Sequence, residues 1–114
     1  MSEDEYCLHV NAREGSSLWM ILADRTQSED EEDWAQYIPV FSRIIECWSR
    51  LGFVRLFQGR EFPVDLSGEE VDVGDIPDLL RDPNSWAYEE NPTWTICIVL
   101  GDRDLVELED GMCT

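Results

Sequence analysis

From Trp34 onward the apolar residues recur at Tyr37, Ile38, Phe41, Ile44, Ile45 and Trp48. Steps of this kind put them on one face of a helix. Arg43, Glu46 and Arg50 fall on the opposite face, together with Pro39. A proline there bends a helix around its core at the loss of one hydrogen bond; the alternative is two helices meeting at Pro39. Ser28 and Glu31 have the spacing of a capping box, and the acids from Glu29 to Asp33 lie where a helix dipole favours them. Gly52 supplies the stop.

A second rhythm, alternation, marks strands. Thr93–Leu100 puts Trp94, Ile96, Ile98 and Leu100 on one face and Thr95, Cys97 and Val99 on the other. Phe53–Phe57 reads as another strand. Gln58-Gly59 reads as a turn, with Arg60–Leu66 as a return strand interrupted by Pro63, and Glu69–Val73 as a short edge strand. Tyr6–Val10 is read as a first short strand. Leu18–Ala23, apolar on both faces, suits a strand in the middle of a sheet. Asp75-Ile76-Pro77 starts a short helix that carries Leu79 and Leu80 and ends before Pro83. Asn84–Pro92 is a loop bearing Trp86 and Tyr88, and Gly101–Asp104 a turn. The expected fold is therefore α+β: a three- to five-stranded mixed or antiparallel sheet against one long amphipathic helix, with a second short helix. Residues 1–114 form a single domain whose ends, 1–5 and 111–114, fray.

Charge changes the picture most. The chain has 26 Asp and Glu against 8 Arg, no Lys and a net charge of −18. The imbalance is concentrated: residues 1–60 hold 11 acids and 6 Arg, residues 61–114 hold 15 acids and 2 Arg. Such a field repels phosphate backbones and anionic membranes and attracts basic proteins. Direct nucleic-acid binding lacks its cations, and lysine nucleophiles and lysine-dependent phosphate loops are excluded. A hydrophobic fraction of 43% and five Trp argue for a packed core rather than disorder. The acidic start lacks the pattern of a secretory leader, and the longest apolar run, Leu18–Ala23, is only six residues. The expectation is a cytoplasmic protein with Cys7, Cys47, Cys97 and Cys113 reduced.

Candidate chemistry is sparse. His9 is the sole histidine, and no nucleophile elbow, phosphate loop or dinucleotide fingerprint is present. Cys7-Leu8-His9 is one weak ligand pair where structural zinc needs two. Asp102-Arg103-Asp104 starts like a calcium loop but lacks its glycine. No catalysis, metal or cofactor is expected.

The segment Glu61–Glu90 stands out, with ten acids and one Arg in thirty residues. Interleaved with them are Phe62, Ile76, Leu79, Leu80, Trp86 and Tyr88. Carboxylates around aromatic anchors suit a basic protein partner: charge speeds encounter and buried aromatics hold the complex. The candidate contacts are Glu69, Glu70, Asp72, Asp75, Asp78, Asp82, Trp86, Tyr88, Glu89 and Glu90. The bland reading is that the apolar residues are core and the acids a solvated surface. Size and composition resemble those of small acidic immunity proteins and nucleic-acid mimics. That resemblance implies an inhibitor of a basic partner, such as a nuclease toxin or a nucleic-acid-binding protein. The alternative is a homo-oligomeric assembly module without catalytic activity. Its apolar sheet surface would include Phe53 and Phe57, and the oligomeric state is open.

Overall fold

A computed structural model describes residues 1–60, 68–89, 94–109 and 111–113. The expected return strand Arg60–Leu66 lies almost wholly outside this set. Among the described residues there are five α-helices and a three-stranded antiparallel sheet. The helices are α1 (Glu3–Glu14), α2 (Leu18–Thr26), α3 (Glu31–Ala35), α4 (Ile38–Leu51) and α5 (Ile76–Arg81). The strands are β1 (Val54–Gly59), β2 (Glu69–Glu70) and β3 (Thr95–Leu100), and the sheet order is β2-β1-β3. Short 3₁₀ turns cover Val73–Asp75, Pro83–Trp86 and Leu105–Glu107.

Two segments read as strands are helices. In α1 the buried residues are Cys7, Leu8, Asn11 and Ala12, a helical spacing disguised by the buried Asn11 and the exposed Tyr6. The helix starts on a capping box: Glu5 N–H donates to Ser2 Oγ and Ser2 N–H to the Glu5 carboxylate. The first residues, expected to fray, are thus the beginning of a helix. Gly15 ends it in the left-handed conformation, φ 72°. The apolar run Leu18–Ala23 opens α2, which buries Leu18, Ile21 and Leu22. Its Leu, Met and Ala favour helix, and a run this short carries no period that excludes one.

The long helix is two. Pro39 stands at the start of α4, and α3 stops at Ala35, four residues earlier. This is where a proline ring would collide with the preceding carbonyl. The cap of α3 is Asp30 rather than Ser28: Asp30 Oδ1 accepts from Glu32 N–H at 2.9 Å. Ser28 Oγ accepts from Asp30 N–H and donates to the Asp33 carboxylate. Gly52 stops α4 with φ 88°.

Val54 and Leu56 of β1 and Ile96 and Ile98 of β3 join the core with Leu8, Phe41, Ile45 and Trp48. Leu56 lies opposite Ile98 in the ladder. Helices α4 and α1 pack on β1 and β3 and on each other. The outer edge of β3 meets the α1–α2 turn: Ile98 N–H donates to Ser16 C=O at 2.9 Å, and Ser17 bridges to Cys97. On the opposite sheet face Phe57 is half-buried beneath the Arg55 guanidinium, 5.3 Å from its ring centroid. Phe53 is buried, with Arg103 over its ring. Of the two phenylalanines of the self-association reading, Phe53 is thus buried and Phe57 half-buried.

The cysteine expectation requires correction. Cys47 of α4 and Cys113 form a disulfide with a sequence separation of 66. The C-terminal segment folds back over α4, packing Leu105, Leu108 and Met112 against the core. Cys7 and Cys97 are buried outside the disulfide. Desolvation, with Asp24 adding to it, pushes the Cys7 thiol up to about 12. No described helix is long and apolar enough to cross a membrane.

Candidate functional site

The predicted contacts separate into two groups. Glu69 and Glu70 lie on β2, and Asp72 and Asp75 flank or belong to the following 3₁₀ turn. All four are exposed. Glu70 is ion-paired with Arg55, with Arg55 Nε 3.1 Å from the carboxylate. That hydrogen bond holds the Glu70 carboxyl below its ordinary range. Asp78, on α5, pairs with Arg81 at 3.0 Å. Among the described residues Glu69, Asp72 and Asp75 make no ion pair.

Asp82, Tyr88 and Glu89 form the second group, beyond α5. Asp82 caps the turn Pro83–Trp86, its carboxylate accepting from Asn84 N–H at 3.0 Å. Trp86 is not a surface anchor, as expected above, but core. It is 2% exposed, and its indole N–H donates to Leu80 C=O at 2.9 Å. The short turn swings this ring inward and leaves Tyr88, two residues on, 50% exposed. Glu89 is exposed and has no ion pair among the described residues. Glu90 lies outside the described residues, as does Phe62.

Tyr88 and Glu89 line an open groove of about 770 Å³ between the first turn of α2, the Asp82–Ser85 stretch and the beginning of β3. Two tryptophans outside the predicted set complete it. Trp19 of α2 meets Tyr88 edge-to-face, ring centroids 4.8 Å apart. Trp94, 48% exposed, stands at the start of β3 with its indole N–H donating to Gln58 Oε1 at 3.2 Å. Trp19 also stacks on Trp34 of α3 at 6.1 Å. The acids Glu31, Glu32 and Asp33 that precede Trp34 in α3 are all exposed. A sequence reading that places the candidate surface wholly in the second half misses the contribution of Trp19 from α2. The available signal was an indole inside an apolar run, which strand periodicity assigned to the core.

Aromatic rings at half exposure beside unpaired carboxylates can bind a cation by ring contact and charge together. Of the two serines among the described residues lining the groove, Ser85 donates its hydroxyl to Leu79 C=O and Ser17 Oγ meets Cys97 Sγ, and no group of three His, Cys, Asp or Glu side chains among the described residues could hold a metal. His9 is on α1, its Nδ1 buried without a hydrogen-bond partner among the described residues. No protein-family model, curated protein or solved structure matches this chain.

Proposed function

We propose that this chain is a protein-binding protein that docks on a basic partner and neutralises it. The target class is a nuclease toxin or another nucleic-acid-handling protein, and the action is by occupancy, without a catalytic step. The observation that carries the reading is the groove that brings together exposed Tyr88 and Trp94 and the carboxylates of Asp82 and Glu89, which have no ion pair among the described residues. Carboxylates take the places that phosphates fill on such a target. The net charge steers the encounter, and the two rings give anchors that desolvate on contact.

The test is low-salt capture from cells that make the protein, followed by purification and titration of what is captured. The expected partner is basic, and its affinity falls steeply between low and physiological salt, because exposed charges are screened beyond about 8 Å there. The double variant Asp82→Asn/Glu89→Gln weakens it. A captured protein whose affinity ignores both salt and this variant would refute the reading.

A further inference from the structure

Among the described residues four of the chain's eight arginines ride on aromatic rings. Three of those four repeat one arrangement. Arg25 lies over Tyr37 at 5.0 Å while its Nε donates to Asp4 at 2.7 Å. Arg55 lies over Phe57 while its Nε donates to Glu70 at 3.1 Å. Arg103 lies over Phe53 at 4.8 Å while its Nε donates to Glu107 at 3.2 Å. Each is a ring, a guanidinium and a carboxylate. The planar cation satisfies both neighbours at once: its face meets the ring and its edge donates to the carboxylate.

The groove holds two of these three parts. Tyr88 and Trp94 supply half-exposed rings. Asp82 and Glu89 supply carboxylates with no ion pair among the described residues, and Asp82 uses one oxygen as a cap. No arginine lines the groove. Arg60, 5.9 Å from the Trp94 ring centroid, already lies over part of this indole, which is still 48% exposed, whereas no arginine of the described residues lies over Tyr88. We infer that the groove is an arginine seat. An arginine side chain of the basic partner lays its guanidinium on the Tyr88 and Trp94 rings and donates to Asp82 or Glu89, and lysine is a poorer occupant. This rests on the proposed function and adds its specificity. A lysine ammonium is a compact, strongly hydrated charge that cannot present a flat face to a ring and an edge to a carboxylate together.

The experiment titrates the full chain with two capped glycine-rich peptides, one carrying arginines and the other lysines at the same positions, read by calorimetry at low salt. The arginine peptide is expected to bind about fivefold tighter or more, the ring contact alone being worth that factor. Tyr88→Leu/Trp94→Leu keeps apolar bulk without the rings and should bring the two affinities together. Both residues are half exposed, and an unchanged urea midpoint certifies the fold of the variant. Asp82→Asn/Glu89→Gln should weaken both peptides. Equal affinities in the wild type, or a preference that survives loss of both rings, overturn the inference. If both peptides bind equally and salt-dependently, the basic-partner reading stands and the arginine seat falls. If neither binds, both fall.

Discussion

Opening the Cys47–Cys113 bridge is the sharpest available perturbation of this fold. The bridge closes a segment of 66 residues that includes the whole sheet, α5 and the groove wall formed by Asp82–Glu89 and the start of β3. Chain-entropy loss in the unfolded state scales with the logarithm of that length and gives about 4 kcal/mol at 25 °C. The unfolding entropy expected for a domain of this size, about 0.24 kcal/mol/K, converts this to a fall of roughly 17 °C in Tm. With a urea slope of about 2 kcal/mol/M, the midpoint falls by about 2 M. The packing of Leu105, Leu108 and Met112 does not need the bridge, so the native contacts persist while the unfolded chain gains freedom. The assay is urea unfolding of the oxidised protein, of the protein in excess phosphine reductant, and of Cys113→Ser. Alkylation in denaturant before reduction should label two thiols, Cys7 and Cys97. Midpoints that coincide with and without reductant, or four labelled thiols in the unreduced protein, would refute the reasoning.

Two further perturbations test other parts of the framework. A Cβ on Gly101 would overlap the Gly52 carbonyl oxygen, backbone against backbone where the end of α4 meets the end of β3. Gly101→Ala should therefore destabilise by about 1–3 kcal/mol in urea unfolding, and a neutral result would show that this junction yields freely. Glu70 is held below its ordinary range by Arg55, so its stabilisation is full above the unfolded-state pKa and is lost as pH falls through the lowered folded value. The difference between wild type and Glu70→Gln should be about 0.2–1 kcal/mol at neutral pH, small because the pair is exposed, and should vanish in acid. A gap that is unchanged at acid pH would exclude the ion pair as its source.

Where local rules decide structure, the sequence was readable. Gly52 ends α4 because only a residue tolerant of positive φ fits there. Ile76-Pro77 begins α5 and Pro83 closes it. Ile96 and Ile98 of β3 are buried as their alternation predicts, but Cys97 between them is buried too, against the α1–α2 turn, and Leu100 at the strand end is exposed. Local rules misled where burial is set by distant neighbours. Asn11 looks like a turn residue, yet it is buried because its amide donates to Cys7 C=O and to the Asp24 carboxylate of α2. That pairing of α1 with α2 is invisible in either segment alone. Leu18–Ala23 has apolar residues on every side because α2 packs on α1, α3, β3 and the Pro83–Trp86 turn together. A buried strand would show the same composition. The site was legible at Asp82, Tyr88 and Glu89, where carboxylates and a ring lie in one short stretch. It was not legible at Trp19, which reaches the groove from 69 positions upstream of Tyr88. Nor could spacing show that Cys47 and Cys113 meet.

On the proposed function the two groups of carboxylates bear unequally on recognition, and the sheet explains why. Strands β2 and β3 flank β1, so acids at the β2 edge lie about 10 Å or more from the groove beside β3. That exceeds the screening length of about 8 Å at physiological salt and falls well inside the roughly 30 Å reached at 0.01 M. On that proposal Glu69 adds to the attraction of a cation at the groove chiefly in dilute salt. Asp82 and Glu89, at the rings, act at contact under all conditions. On the proposed function, net charge sets how often a basic partner arrives. What would hold it there are the few groove carboxylates, Asp82 and Glu89, that have no ion pair among the described residues.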